Sequence, residues 1–265
     1  MIKLIFIADI VGKIGRKAVV NQLPKLKKKY LPDLVIANAE NLAHGIGFTQ
    51  KTLAEMREAG VNVFTSGNHA WEKAGSDEIL NNLNNLIIRP ANYPNTKSGK
   101  GYLELNIADT RLIVINLLGR VFIEEKTHNP FIVLDKIISK KRNSLYLVDF
   151  HAEATSEKVA LANYFDGRVA AVIGTHTHVQ TADERILPNG TGFISDAGMV
   201  GYKDSVIGAD KQQVINMFLN AKKSSKKHDL PDKGEALLNG VYLEIDAKQN
   251  KTLKIERINK TITID

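Results

Sequence analysis

The chain of 265 residues contains no cysteine. That excludes disulfides, thiolate zinc sites and a cysteine nucleophile, and it leaves any metal to nitrogen and oxygen ligands. Aromatic residues are few, at 6%, with Trp71 the only tryptophan. The lysine clusters therefore lack the interleaved rings on which single-stranded nucleic acid stacks. Long apolar runs are missing too. The opening Met1 to Ile10 segment is too short to span a bilayer, and acidic Asp9 and a glycine-containing turn follow where an export signal would carry its cleavage site. A soluble cytoplasmic protein without a membrane partner is expected.

What is present is enough for a full-sized core: 43% of the residues are hydrophobic, and a single domain over residues 1–265 is expected. The formal net charge of +7 favours anionic ligands. The basic runs Lys25 to Lys29, Lys140 to Arg142 and Lys222 to Lys227 read as solvated helix ends.

Runs rich in Ile, Val and Leu alternate with stretches of helical period. Strands are predicted at Ile2 to Ile7, Leu34 to Ala37, Val61 to Thr65, Leu145 to Phe150 and Val169 to Ile173. Helices are predicted at Lys17 to Lys29, Thr49 to Ala59, Ser76 to Leu83, Phe131 to Lys141, Ser156 to Phe165 and Lys211 to Lys222. A hairpin joins Leu103 to Ile107 with Leu112 to Leu117 around Asp109 and Thr110. Later strands are read at Thr181 to Leu187, Gly192 to Ser195, Gly240 to Ile245 and Thr252 to Ile258. The fold class is α/β, with two packed sheets flanked by helices.

The unusual polar residues follow predicted strands at their carboxyl ends, where α/β sheets place ligand sites. Five turns stand out: Ala8 to Gly12, Asn38 to Asn41, Ser66 to His69, Asp149 to His151 and Gly174 to His178. If their strands share a sheet, Asp9, Glu40, Asn41, Asn68, His69, His151, His176 and His178 converge on one edge. Such a cluster is costly to desolvate unless multivalent cations sit within it. Oxygen and imidazole donors suit zinc, iron or manganese. On an extended segment, the i, i+2 spacing of His176 and His178 points both rings to one face.

These motifs resemble the calcineurin-like metallophosphoesterases and, within them, the YmdB-like branch of cyclic-nucleotide phosphodiesterases. The resemblance rests on Asp9-Ile10-Val11-Gly12, Asn38-Ala39-Glu40-Asn41, Gly67-Asn68-His69-Ala70-Trp71, His151-Ala152-Glu153 and Gly174-Thr175-His176-Thr177-His178, with Ile194 to Met199 typical of the branch. Two positions depart from the wider superfamily. Val11 stands where a first-strand histidine is usual, and Glu40 replaces the bridging aspartate. Both substitutions agree with the branch and leave a more oxygen-rich site.

The resemblance implies a four-layer αββα sandwich of mixed sheets and two divalent or trivalent ions, iron or manganese before zinc or magnesium. One ion would be held by Asp9, Glu40, Asn41 and His178, the other by Glu40, Asn68, His151 and His176. Phosphodiester hydrolysis of 2',3'- and 3',5'-cyclic nucleotides is implied, by attack of a hydroxide shared between the ions, with His69 as proton donor. It further implies a homo-oligomer. A phosphomonoesterase or nuclease with the same metals, and a regulatory protein that binds nucleotide or RNA, are the alternatives. His44 and Arg120 are candidate phosphate contacts. Trp71 is read as core before base platform, and His128 and His228 as surface residues.

Overall fold

The computed structural model describes residues 1–107, 109–141, 143–220 and 231–265. The basic run at 222–227, His228 and the end of the last predicted helix lie outside the described residues, as does Arg142.

The elements run β1 (Ile2–Ile7), β2 (Asp9–Ile10), α1 (Gly12–Tyr30), β3 (Leu34–Asn38), α2 (Gln50–Glu58), β4 (Val63–Thr65) and α3 (Ser76–Asn81). After these come β5 (Tyr102–Ile107), β6 (Thr110–Leu118), α4 (Pro130–Lys140), β7 (Leu145–His151), α5 (Thr155–Tyr164) and β8 (Ala171–Thr175). The chain continues with β9 (Arg185–Ile186), β10 (Gly192–Ile194), β11 (Met199–Tyr202), α6 (Lys211–Asn220), β12 (Gly234–Asp246) and β13 (Lys251–Ile264).

The strands form two mixed sheets. The first has seven strands in the order β2-β11-β12-β1-β3-β4, with β13 on the other side of β12. The second has six, in the order β5-β6-β7-β8-β10-β9. Within each, the strands that lead to the polar turns are parallel: β1 to β3 to β4, and β7 to β8.

Strand alternation sorts the side chains into layers. Leu4, Phe6 and Ile36 of the first sheet and Leu112, Val114, Leu147 and Ile173 of the second share the core between the sheets. The intervening Ile5, Ile7 and Val35 face outward and pack with Ile14, Val19 and Leu23 of α1, Leu53 and Met56 of α2, and Ile79 and Leu80 of α3. On the far side, Ile113, Ile115 and Val148 pack with Leu134 and Ile137 of α4 and Leu161 and Ala162 of α5. The result is helix, sheet, sheet, helix. At about 1.5–3 kcal/mol for each fully buried large apolar side chain, the shared middle core is what holds the two sheets face to face.

Some boundaries differ from the sequence reading. Helix α1 starts at Gly12, not Lys17, because it docks directly on β11: a Cβ on Gly15 would stand 2.2 Å from the carbonyl oxygen of Val200. The glycines that weaken the helical signal are what permit this approach. Only Arg185–Ile186 of the expected strand 181–187 is extended in a ladder. Ahead of it, Asp183 takes up the Thr181 hydroxyl and the backbone N–H and hydroxyl of Ser195, so side-chain hydrogen bonds replace the ladder. Strands β12 and β13 run well beyond their expected limits as one long antiparallel pair.

Candidate metal centre and phosphoester site

The polar turns meet at one place, but not on one sheet. Asp9, Glu40, Asn41, Asn68 and His69 follow strands of the first sheet, while His151 ends β7 of the second and His176 and His178 follow its β8. The expectation of one sheet edge is corrected to two facing edges. The parallel strands of both sheets end at the same side of the sandwich, and the site lies between them.

Its centre is Glu40, 2% exposed. One Glu40 oxygen lies 3.1 Å from Nε2 of fully buried His151. The other accepts the backbone N–H of His69 at 3.4 Å. Nδ1 of His176 approaches His151 Nε2 to 3.0 Å. Glu40, His151 and His176 thus present ligand atoms within 4.8 Å of one another. Gly67 makes room for this packing: a Cβ there would fall 1.9 Å from a Glu40 carboxylate oxygen and 2.5 Å from the His151 ring.

Beside this trio lies fully buried Asp9. Its Oδ1 stands 3.8 Å from His178 Nε2 and 3.9 Å from His151 Nδ1. His178 Nδ1 meets the Ile207 carbonyl at 2.8 Å, which fixes the proton on Nδ1 and leaves the Nε2 lone pair facing Asp9. Asn41 donates its amide to the Gly45 carbonyl at 2.8 Å, so its oxygen points the other way. The buried Oδ1 atoms of Asp9, Asn41 and Asn68 and Nδ1 of His69 have no hydrogen-bond partner among the described residues. Buried polar atoms rarely stay unpaired. Several orphaned oxygens beside a carboxylate and imidazole cluster fit a cation site by donor chemistry and by placement.

The His176-Thr177-His178 segment is not extended, and the shared-face argument fails. Both histidines have positive φ, 103° and 64°, in a tight turn after β8. The two rings therefore diverge, His176 towards His151 and His178 towards Asp9. The remote Nε2 of His176 meets Glu153 at 3.1 Å.

Electrostatics follow from the crowding. Burial pushes Asp9 up to about 6 against the pull of His178 and His151. Burial would also raise Glu40, but the charge and hydrogen bond of His151, with His69 and His176, hold it at about 2. His151 is penalised by burial yet held up at about 9 by Glu40, Asp9 and Asp149, while burial and His151 press His176 down to about 3.

Sequence reasoning missed the residues that orient this set. His151 Nδ1 lies 2.9 Å from the Thr175 hydroxyl, which donates to Asp149 at 2.7 Å. The other Asp149 oxygen accepts from Asn38 at 3.1 Å, and Asn38 in turn accepts the Glu40 N–H at 3.0 Å. A buried relay therefore ties Glu40 of one sheet to His151 of the other. Burial pushes Asp149 up to about 7. The signal in the sequence was a polar residue at an inward position of a strand otherwise apolar, Leu145–His151.

A second missed pair is Lys158 of α5 and Asp196, 2.8 Å apart and both almost wholly buried. Asp196 also accepts the N–H of Thr177 at 3.0 Å, between the two histidines. Lys158→Met is expected to cost about 3–5 kcal/mol of stability, because it leaves a buried carboxylate without its cation. Denaturant melts would show it, and a loss within experimental error would mean that Asp196 needs no counter-charge.

Of the weaker candidates, His44 is exposed in a turn with φ of 58°. The Arg120 side chain is exposed, with its backbone N–H held by Glu157 at 3.1 Å. Trp71 packs against the first sheet's outer core and donates to Ser98 at 3.0 Å, as a core residue would. His128 is exposed as expected.

Comparison with known proteins agrees with this geometry. Residues 5–258 match the YmdB-like protein family. A 2',3'-cyclic-nucleotide 2'-phosphodiesterase of Bacillus subtilis is 44% identical over 97% of this chain and 96% of its own. Among solved structures, a phosphatase of Mycoplasma pneumoniae superposes with a TM-score of 0.90 at 42% identity, over 98% of this chain and 93% of the other. A hypothetical protein of Thermus thermophilus gives 0.91 at 35% identity, over 98% of this chain and 99% of its own. With the match spanning both sheets and every turn of the site, the chain belongs to the YmdB-like family of the metallophosphoesterase superfamily.

Proposed function

We propose that this hydrolase acts as a dinuclear metal-dependent phosphodiesterase on 2',3'- and 3',5'-cyclic nucleotides, residues 1–265 serving as one domain. The observation that carries the reading is the buried set of orphaned oxygens around Glu40, in a chain 44% identical to the Bacillus subtilis phosphodiesterase. Asp9, Asn41 and His178 would hold one ion and Asn68, His151 and His176 the other, with Glu40 reaching both. The oxygen-rich set favours manganese or iron. When bound, the ions neutralise phosphate charge and make water a competent nucleophile near neutral pH.

The protein's own groups do the rest. The Thr175 and Asp149 relay keeps the His151 ring in one tautomer, and the Ile207 carbonyl does the same for His178. His69 is placed by its backbone bond to Glu40, and its partly exposed imidazole has a free Nδ1, 3.8 Å from Glu72. It serves as the proton donor to the departing ribose oxygen. Hydrolysis at the 2'-oxygen breaks the P–O2' bond and leaves the 3'-phosphate.

Turnover of bis-p-nitrophenyl phosphate against p-nitrophenyl phosphate in manganese tests the diester reading, and chromatography of the product from 2',3'-cyclic AMP tests the bond broken. 3'-AMP is expected. Hydrolysis of the monoester alone would instead favour a phosphatase, as the Mycoplasma pneumoniae relative is described.

Metal loading is expected to be pH-dependent. Ligation needs neutral His151 and ionised Asp9, whereas the metal-free protein holds them at about 9 and about 6. Binding therefore strengthens as pH rises from 6 to 9, weakens as pH falls through 6, and at pH 7.5 releases roughly one proton per chain from His151. Calorimetry in two buffers of different ionisation enthalpy measures that proton. Buffer-independent heats would contradict the assignment of His151 as a ligand.

A further inference from the structure

Away from the metal cluster, a cavity of about 570 Å³ opens between α4 and the segment that leads from Arg89 to β5. It shares no lining residue with the candidate metal centre. Its lining includes Arg89, which is 6% exposed. A guanidinium stays charged at any ordinary pH, and one this buried normally faces a carboxylate. Arg89 has none among the described residues. Its one side-chain hydrogen bond runs from Nη1 to the Pro90 carbonyl at 2.8 Å, and Nε is buried without a partner.

The other charged residues of the lining are Lys136, Lys140 and Lys141, of which Lys141 is paired with Glu104 at 2.6 Å. Lys136 and Lys140 lie one helical turn apart on α4 and form no ion pair among the described residues. Like charges at that spacing repel, and a bound anion relieves the repulsion. No Asp or Glu lines the cavity. Tyr93 and Tyr102 supply ring surface on its walls, beside the apolar side chains of Ile132 and Val133. The volume is within the range of small-molecule sites.

We propose that this cavity is a second, non-catalytic binding site for a phosphate-bearing small molecule, with the Arg89 guanidinium as its inner anchor and Lys136 and Lys140 as its outer contacts. The planar fork of Arg89 suits two phosphate oxygens at once, and the lysines act as point charges at the mouth. The site also touches the catalytic side indirectly. The Tyr93 ring meets Trp71 edge-on at 4.7 Å, two residues beyond His69. Occupancy is thus positioned to be felt at the His69 turn.

The test is crystallographic, with tungstate as the phosphate mimic, on the metal-loaded full chain. Anomalous density is expected against Arg89 as well as at the metal edge. Lys136→Gln combined with Lys140→Gln changes only exposed positions and keeps the fold. It is expected to require about tenfold more tungstate to fill the cavity, from the loss of charge-assisted contacts, while density at the metal edge persists. A cavity that stays free of tungstate at concentrations that fill the metal edge, or one that fills equally well in the double variant, would overturn the proposal. Arg89→Gln is a poorer probe, because a change this deep risks the fold.

Discussion

Replacing His69 by alanine is expected to lower turnover of a cyclic nucleotide by roughly 10²- to 10⁴-fold, the range over which a placed general acid contributes, while the protein keeps its full metal content. The separation of the two effects follows from the geometry. His69 touches the cluster through its backbone N–H, which alanine retains, and its ring reaches outward towards Glu72. The loss should be smallest for substrates with a good leaving group, because p-nitrophenolate departs without a proton. A His69→Ala protein that is isolated without metal would move His69 from donor to ligand.

Glu40→Ala should act in the opposite way, lowering metal content and activity together. Among the described residues, Glu40 is the one carboxylate in contact with both His151 and the His69 turn, and it acts ahead of Asp9 and Asp149 in holding His151 protonated in the metal-free state. Its removal leaves any pair of cations without a shared anion between them. Metal content by elemental analysis is expected to fall to one ion or none per chain, with turnover lost to the detection limit. Full occupancy by two ions in Glu40→Ala would rule out the bridging role. Because the carboxylate is buried among imidazoles, the titration of His151 in the metal-free variant should also move down, which a histidine NMR titration reads directly.

The parts of the fold that were legible in the sequence are those in which apolar period alone decides the outcome. Ile2–Ile7 is apolar apart from Lys3 and Leu145–His151 apart from Asp149 and His151, and the hairpin around Asp109 is bounded by its turn. The expected strand Thr252 to Ile258 stops short of the end of β13 because Asn259, Lys260 and Thr261 interrupt the apolar pattern, and this half-exposed strand is held by its ladder to β12 more than by burial. Strands β2 and β11 are too short to carry a period; they exist because Met199 and Val200 pair with Asp9 and Ile10, which are distant in sequence.

At the site, the identity of the residues was legible and their arrangement was not. Which sheet each strand joins is set by long-range pairing, so the division of the cluster between two sheets left no local trace. The positive φ of His176 and His178 is imposed by the bonds of the turn to Asp196 and Asp9, which lie far away in sequence. Lys158 looked like any helix lysine, because nothing in Thr155–Tyr164 announces that its side chain turns inward to Asp196.

The division of the cluster has a consequence for how the enzyme comes into being. Neither sheet alone supplies a complete cage, and the last member, His178, lies more than a hundred residues beyond Asn68. On the dinuclear reading proposed above, the growing polypeptide would have nothing able to grip two ions until both halves of the sandwich have emerged and docked. Catalytic competence would then be a late event, switched on by assembly itself, and an ion once captured would act as a rivet that resists the halves coming apart.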